Sequence, residues 1–237
     1  DVDILHAIAF TTPTLGDPDG WRLHFGRELN ATDDRRHFHP GGDGLPVVEG
    51  KHLSPFSVDI ARTRLRIAPE VAAGLLDSAR TFARRRLGYR EVASATNRLT
   101  LIAAIVPANT VTTHTVFCLK NQVDDELQWY LCGMLNSFVA NYLVRLRVTT
   151  HVSSGIIDRL PVPLPQRDDA RFREVAGLSR TLAAAPLDPA NYARLQAVAA
   201  RAYGLQSSQF DHILSTFPLV EPSVRAAVRS AFYDIVS

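Results

Sequence analysis

The sequence predicts an α+β fold: a mixed β-sheet body with one long packed helix, followed by a small C-terminal helical segment. Three observations predict this class. Short apolar runs bounded by Pro and Gly fill most of the first half of the chain, which is typical of strands. Residues 124–146 carry apolar side chains at helical spacing. From Asp168 onward the chain is Ala-rich, and its segments begin with Asp, Ser or Glu, as capped helices do.

The elements of the body follow from local patterns, taken in chain order. Alternation of apolar residues predicts strands over 2–10 and 21–25, and a Gly and a Pro divide 45–60 into two short strand-like pieces. Helical spacing of apolar residues predicts a helix over 68–80. Further apolar runs predict three strands, over 84–94, 99–107 and 113–120. The body ends with the single long helix over 124–146, which has acidic residues in its first turn and arginines in its last turn.

Charge is unevenly distributed along the chain. The net charge is only +2, and of the 26 cationic residues two are lysines, Lys51 and Lys120, so the other 24 are arginines. Residues 61–100 contain nine arginines and three acidic residues, whereas acidic residues are concentrated in 121–126 and 166–174. Clustered arginines are typical of phosphate-binding surfaces, because guanidinium groups match phosphate oxygens in geometry and charge.

The chain lacks the usual catalytic motifs. It contains no G-x-G-x-x-G after a strand, no P-loop and no G-x-S-x-G nucleophile motif. His37, His39 and Asp43 could form a metal site, although solvated loop histidines are the favoured interpretation. Cys118 and Cys132 lie in apolar stretches and are predicted to be buried thiols rather than a disulfide. We therefore expect no catalytic residue, no metal and no cofactor in this chain.

Binding chemistry is the stronger signal. In "ARTRLRI", Arg62, Arg64 and Arg66 alternate, so an extended chain would place their guanidinium groups on one face. Polar loops at 109–115 and 149–155 offer short hydrogen-bonding side chains. From composition alone, a solvated sheet face with ion pairs and ordinary loops explain these features equally well.

Four stretches together resemble one protein family. They are "WRLHFGRELNATDDRRHF" (21–38), "LPVVEGKHLSPF" (45–56), "YREVASATNRLTLIAAIVPANTVTTHT" (89–115) and "YLCGMLNSFVANYLVRLRVTTHVSSGIIDRLPVPLP" (130–165). Their order and spacing resemble the C-terminal specificity region of adenine-N6 DNA methyltransferases of the type IIG and type IIL restriction–modification group and their phage-defence relatives. The last stretch is also similar to the end of target recognition domains in type I specificity subunits.

The resemblance implies a target recognition domain over 1–165 and a helical appendage or spacer over 166–237. Such a domain reads double-stranded DNA, and the catalytic methyltransferase region of the same parent chain modifies an adenine with S-adenosylmethionine as cofactor. The N/D-P-P-Y/F motif of that region is absent here, since the chain contains no Pro-Pro pair. Because the chain also starts at Asp1 rather than Met, we expect a non-catalytic part of a longer bacterial protein that acts in the cytoplasm at the nucleoid, with or without endonuclease activity in the parent.

Chemistry, rather than the family pattern, suggests the DNA contacts. The cations predicted to contact phosphates are Lys51, Arg62, Arg64, Arg66, Arg84, Arg85, Arg86, Arg145 and Arg147. The residues predicted to face a DNA groove are Asn109, Thr112, Thr113, His114, Thr149, Thr150, His151, Ser153 and Ser154. The most invariant-looking pieces of the resemblance are expected to be scaffold, with 99–107 as a core strand and Asn136 and Ser137 fixing a contact between helix and sheet.

Two other functions stay open. The helices at 168–237 could form a protein-interaction module that docks a methyltransferase or a partner subunit, with DNA reading secondary. A small hydrolase that uses the region of His37 and His39 is the third hypothesis. No apolar run approaches 18 residues, so no membrane segment is predicted.

Overall fold

The computed structural model describes residues 2–9, 11–76, 80–164, 166, 168–185 and 188–236, and it confirms the predicted α+β class. The α-helices are α1 (Val2–Ala9), α2 (Pro69–Leu75), α3 (Arg80–Ala83), α4 (Asp125–Leu135), α5 (Phe138–Arg145), α6 (Ser154–Asp158), α7 (Ala170–Ala184), α8 (Pro189–Ala202), α9 (Ser207–Ser215) and α10 (Pro222–Val236). The strands are β1 (Phe25–Gly26), β2 (His39–Pro40), β3 (Leu45–Val48), β4 (Leu53–Ser54), β5 (Ser57–Val58), β6 (Leu65–Ile67), β7 (Arg86–Arg90), β8 (Ala103–Val106), β9 (Val111–Thr112) and β10 (Val116–Leu119). Short 3-10 helices cover Arg35–His37, Gly50–His52 and Ile60–Arg62.

The described strands form two four-stranded sheets and a small hairpin. The first sheet has the order β1-β10-β7-β8 and is antiparallel throughout. The second has the order β2-β6-β3-β9, with β3 and β9 parallel, and β4 and β5 form the hairpin. The strands predicted over 84–94, 99–107 and 113–120 are confirmed as β7, β8 and β10. Every residue of β8 is buried, as its continuous apolar run predicts, because α4 and the hairpin both pack against it.

The strand predicted over 2–10 is wrong, because Val2–Ala9 form helix α1. Ile4 and Ile8 are both buried, and their spacing of four residues is the one that places side chains on the same face of a helix. The loose alternation of apolar residues in this segment fits either period, so it did not distinguish a strand from a helix.

The strand predicted over 21–25 is only partly present. Trp21, Leu23 and Phe25 are buried, as the alternation predicts, but only Phe25 lies in a strand. Arg22 has a φ of 53°, which interrupts the extended backbone between the first two buried residues.

The helix predicted over 124–146 is broken into α4 and α5 at Asn136 and Ser137. Ser137 caps α5, since its Oγ accepts the N–H of Ala140 at 3.1 Å. The Asn136 side chain bonds both the N–H and the C=O of Ala103 in β8, at 3.1 and 2.8 Å. The predicted helix–sheet contact is therefore confirmed for Asn136, whereas Ser137 starts the second helix.

Helices α7, α8 and α9 pack onto α4 and α5, α10 packs onto α8 and α9, and these helices share one hydrophobic core with the sheet body. Gly133 in α4 permits a close approach to α7, because a Cβ there would lie 2.4 Å from Ser179 Oγ and 2.6 Å from Val175 Cγ1. The Gln196 side chain of α8 accepts the first N–H of α5 at 2.7 Å. The helices predicted for this segment are confirmed, and they complete the core of the body.

A connecting segment, residues 161–164, joins the body to these helices. Its carbonyl groups accept hydrogen bonds from three aromatic side chains: Pro161 from Tyr203 at 2.9 Å, Val162 from Trp21 at 2.7 Å and Pro163 from Tyr130 at 2.9 Å. Pro161 also forms an antiparallel bridge with Thr14, so the segment runs along an edge where missing N–H groups do no harm. The predicted domain boundary at 165/166 stays a prediction, and Pro165 lies outside the described residues.

Candidate nucleic-acid interface

A cleft of about 790 Å³ opens on the sheet body. Three segments line it, and we call 31–38 its first wall, 61–65 its second wall, and the turn 49–52 together with Thr113 its floor. We call this feature the basic cleft. Its lining residues are Ala31, Arg35, Phe38, Glu49, Lys51, His52, Ala61, Arg62, Arg64, Leu65 and Thr113.

The first wall is anchored by a buried ion pair. Arg86 is 1% exposed, and its guanidinium donates to the Glu28 carboxylate from Nε at 2.5 Å and from Nη2 at 2.6 Å. Glu28 also accepts the N–H and the hydroxyl of Thr112, at 2.8 and 3.0 Å. Three residues further along the chain, the N–H of Ala31 donates to His114 Nδ1 at 3.1 Å. The chain from 28 to 31 is therefore held against β9 and the turn that follows it.

The floor is a tight turn with several backbone constraints. The N–H of Glu49 donates to His52 Nδ1 at 3.0 Å, and the N–H of Gly50 donates to Thr115 Oγ1 at 2.9 Å. The C=O of His52 accepts the N–H of Asp59 at 2.9 Å, just before the second wall begins. A Cβ at position 50 would lie 3.0 Å from Arg90 Cγ and from the backbone oxygen of Thr115, so a larger residue there would force its neighbours to shift. The turn thus sets where the charged side chains of the floor point.

The basic cleft concentrates positive charge. Arg35, Arg62 and Arg64 are exposed, and no described residue forms a hydrogen bond or ion pair with their guanidinium groups. Lys51 pairs with Glu49 at 2.6 Å, and Glu49 is the one carboxylate among the described lining residues. Four cations therefore converge beside a single acid, an arrangement whose self-repulsion is relieved when an anion binds.

Three predicted phosphate contacts, Lys51, Arg62 and Arg64, lie in this cleft. The extended row predicted for "ARTRLRI" is wrong, because Ile60–Arg62 form a 3-10 helix and β6 begins only at Leu65. The walls therefore bring these cations together by folding around the floor, not by strand alternation.

Two arginines of this region differ from the prediction. Arg66 turns back on its own segment and donates to the C=O and the Oγ1 of Thr63 at 2.9 and 3.0 Å, so it does not line the cleft. Arg35 lines the cleft and was not predicted. It lies in a polar loop without alternation, so no periodic signal marked it, although the pair "RR" at 35–36 could have done so.

The predicted contacts at Arg84, Arg85 and Arg86 are not part of the cleft. The prediction for Arg86 is wrong, because its charge is buried against Glu28. Arg85 pairs with Asp125 at 2.7 Å, and Arg84 donates to two backbone oxygens of the loop after β10 at 3.0 and 3.3 Å. Arg84 and Arg85 therefore hold the start of β7. At the other end of that strand, the Arg90 side chain lies close to Gly50 in the floor turn.

Arg145 is also committed within the protein. Its guanidinium donates to Thr100 Oγ1 at 3.1 Å and to two backbone oxygens at 3.0 Å, and it lies 4.0 Å above the ring centre of Phe217. Burial lowers its pKa. The predicted phosphate contact is therefore corrected to a link between α5 and the end of α9. Arg147 is exposed, and its contact with DNA stays a prediction.

The first predicted groove-facing loop is mostly structural. Thr112 is fully buried and its hydroxyl donates to the buried Glu28, so the prediction for this residue is wrong. Thr113 is also buried and shares a hydrogen bond with Thr115 Oγ1 at 2.9 Å, but it lines the cleft, and its contact with DNA stays a prediction. His114 uses its Nδ1 to hold the first wall. Asn109 is exposed with a φ of 57° and does not line the cleft, and its contact with DNA stays a prediction.

The second predicted loop lies beside the cleft floor. It presents exposed or half-exposed side chains at Thr149, Thr150, His151, Ser153 and Ser154. His151 forms an antiparallel bridge with Val92, and the N–H of Val152 donates to the C=O of Glu91 at 2.8 Å. The N–H of Glu91 donates in turn to the C=O of Thr115 at 3.0 Å, and the hydroxyl of Thr115 accepts the N–H of Gly50 in the floor turn. Glu91 therefore links the loop to the residue that holds the floor turn. Contact between this loop and DNA stays a prediction.

The remaining candidate chemistry is structural where it is described. Cys118 and Cys132 are separate buried thiols, as predicted, and burial raises the pKa of each to about 12. His37 Nε2 accepts a hydrogen bond from Arg36 at 3.2 Å, and His39 Nδ1 lies 3.1 Å from the C=O of Gly41. The described part of the chain contains no group of three or more His, Cys, Asp or Glu that could hold a metal ion. None of its described helices has both the length and the apolar composition needed to cross a membrane.

Comparison with known proteins gives limited similarity. No protein-family model and no curated protein matches the chain. Three solved structures are similar to it in part. A type I restriction–modification system studied for its complex assembly and conformational transition has 14% sequence identity and a TM-score of 0.37, and the match covers 98% of this chain and 51% of that one. The type IIL restriction–modification enzyme MmeI in complex with DNA has 12% identity and a TM-score of 0.45, with 93% and 35% covered, and the HsdS subunit from Thermoanaerobacter tengcongensis has 14% identity and a TM-score of 0.35, with 98% and 50% covered. The chain thus spans about half of two of these chains and about a third of the other.

Proposed function

We propose that this chain binds double-stranded DNA through the basic cleft, as the non-catalytic specificity part of a bacterial adenine-specific DNA methyltransferase or restriction–modification enzyme. The observation that carries the proposal is the convergence of Arg35, Lys51, Arg62 and Arg64 in one cleft, three of them without a described protein partner. Phosphate groups are the anions that such a set of guanidinium and ammonium groups binds best.

The size and surroundings of the cleft favour one strand of a duplex as its occupant. A volume of about 790 Å³ is that of a small-ligand site, so it takes a backbone segment and not a whole double helix. Phosphate contacts position a protein on DNA, and adjacent hydrogen-bonding side chains read the bases. The exposed loop at 149–154 provides such side chains next to the floor.

The wider role follows from the resemblance of the four sequence stretches to specificity regions. On this proposal, S-adenosylmethionine binds to the catalytic region of the longer parent chain, and methyl transfer takes place there. The basic cleft and its neighbouring loop then select the DNA site at which that region acts. The partners of this chain are accordingly double-stranded DNA and the catalytic methyltransferase region.

A salt-dependence experiment tests the proposal. Fluorescence anisotropy on random-sequence duplexes at low salt should show binding, and the logarithm of affinity should fall linearly with the logarithm of salt concentration. The double variant Arg62→Gln/Arg64→Gln should bind more weakly and should lower that slope by about 2, since each phosphate contact contributes about 0.9. The matched control is Arg173→Gln/Arg194→Gln, which removes two exposed charges from α7 and α8.

Two results would contradict the proposal. One is no duplex binding by the wild-type chain at micromolar concentration and low salt. The other is an equal loss of binding in the control variant, which would show that net charge matters and that the cleft does not. Selection from a random duplex library then tests sequence reading, because a specificity part should enrich a defined site.

The alternative, a protein-interaction module on the C-terminal helices, has narrower support. In the described part of that segment, Leu219 and Tyr233 are the large apolar side chains that stand exposed. The apolar faces of α7, α8 and α9 are used against α4 and α5. A stable complex with a separately expressed methyltransferase region that is lost on Leu219→Ser would favour this alternative.

A further inference from the structure

Two histidines, His52 in the lining of the basic cleft and His114 next to the lining residue Thr113, accept hydrogen bonds from backbone N–H groups. His52 Nδ1 accepts from Glu49 at 3.0 Å, and His114 Nδ1 accepts from Ala31 at 3.1 Å. A backbone N–H can only donate, so each Nδ1 must present its lone pair. Each of these hydrogen bonds therefore requires an Nδ1 without a proton.

The two hydrogen bonds lie where the cleft is assembled. The first closes the turn that carries Lys51, and the same histidine accepts the N–H of Asp59 with its backbone C=O, ahead of the second wall. The second ties the start of the first wall to the turn after β9. The His114 bond thus holds the first wall, on which Arg35 lies, and the His52 bond holds the floor turn, whose backbone bond to Asp59 lies two residues before the second wall.

We propose that His52 and His114 are positioning residues of the basic cleft, and that protonation of His52 releases the floor turn and weakens DNA binding. The inference rests on the proposed function for its DNA readout. It concerns the regulation of the same site, since it makes DNA binding depend on a neutral imidazole inside a cationic cleft.

The surroundings of His52 determine the direction of its titration. Burial is the largest influence and lowers its pKa below 6.5, and Lys51 and Arg62 act in the same direction. Glu49 and Asp59 act in the opposite direction. The folded protein therefore binds the His52 proton less readily than the unfolded chain does. The stabilisation from the neutral ring is complete above pH 6.5 and is lost as the pH falls through the lowered value.

This expectation opposes the usual electrostatic trend. Acidification adds positive charge to a protein and normally strengthens its binding to DNA. Here a proton on His52 Nδ1 would face the N–H of Glu49, so two donors would meet and the turn would open. We expect wild-type affinity to fall about tenfold between about pH 7.5 and about pH 5.

Asn and Leu variants separate positioning from general structure. The side-chain oxygen of Asn can replace Nδ1 as an acceptor and does not titrate, whereas Leu offers no acceptor. His52→Asn should bind DNA within about twofold of wild type at pH 7.5 and should lose the acid-dependent decrease. His52→Leu should bind about tenfold more weakly at both pH values. At position 114, His114→Asn should likewise retain affinity that His114→Leu loses.

An NMR measurement on the 237-residue chain tests the inference without DNA and without variants. Long-range ¹H–¹⁵N spectra at about pH 7.5 should show both rings as Nε2–H tautomers, and the Glu49 amide proton should shift when His52 titrates. A charged ring or an Nδ1–H tautomer at either position would overturn the assignment, as would a wild-type affinity that rises on acidification. If the spectra show both Nε2–H tautomers but the wild type binds no duplex, the proposed function is overturned and the assignment of the two histidines stands.

Discussion

Replacing Glu28 with Ala removes the carboxylate that anchors the first wall of the basic cleft. The Glu28 side chain is 0% exposed and accepts four hydrogen bonds, two from Arg86 and two from Thr112. The Arg86 side chain is 2% exposed, so its guanidinium cannot turn to water when its partner is removed. Breaking a buried pair in this way costs about 3–5 kcal/mol, because an uncompensated charge stays inside the protein.

Urea and thermal unfolding followed by circular dichroism measure this cost. For a chain of this size, about 1 kcal/mol corresponds to about 2–4 °C, so the midpoint should fall by about 10 °C. The control is Arg85→Ala, which breaks an exposed pair with Asp125 and should cost less than about 1 kcal/mol. The double variant Glu28→Leu/Arg86→Met should be more stable than Glu28→Ala, because it leaves no unpaired buried charge and keeps only a cost of about 1–3 kcal/mol for the N–H of Thr112. A cost for Glu28→Ala no larger than that of Arg85→Ala would refute the reasoning.

Three further predictions concern local packing and reactivity. Gly133→Ala should destabilise the protein by about 1–3 kcal/mol in thermal unfolding, since the added Cβ would lie 2.4 Å from a side-chain oxygen of α7. Gly177→Ala, which meets nothing within 4 Å on the exposed side of α7, should be neutral or stabilising; equal losses for both would contradict the contact. Cys118 and Cys132 should resist iodoacetamide in the native protein up to about pH 9, because burial raises the pKa of each to about 12, and both should react in urea. Gly50→Ala should weaken duplex binding by about tenfold in the anisotropy assay, because the added Cβ would lie 3.0 Å from Arg90 Cγ and from Thr115 O and would displace the floor turn that carries Lys51; unchanged affinity would show that the turn does not position the cations.

The elements that were predicted correctly are those whose buried side chains repeat at a regular spacing along a short stretch of sequence. Strands β7, β8 and β10 and the C-terminal helices have apolar periods that are visible within ten to fifteen residues. The break between α4 and α5 could not be predicted in that way. Asn136 fits the helical register, and only its bonds to Ala103, 33 residues earlier, reveal why the helix stops there.

The sequence predicted that the candidate site contains clustered arginines, but it did not predict which arginines lie in it. Arg62 and Arg86 belong to the same arginine-rich region, yet the first is exposed in the cleft and the second is buried. The difference is Glu28, which lies 58 residues before Arg86, so no local pattern distinguishes the two arginines. Arg35 was missed for the same reason, since its wall meets the segment 61–65 only in the folded protein.

The connecting segment places an optical reporter at the junction between the body and its helices. Trp21 donates its indole N–H to Val162 and stacks on Tyr130, with ring centroids 6.3 Å apart. Tyr130 in turn contacts Phe172 of α7 at 5.1 Å. The chain has two tryptophans, so Trp129→Phe would leave Trp21, at this junction, as the single tryptophan. Its fluorescence would then follow in real time, and without a label, whether the helical segment stays docked while the sheet body remains folded.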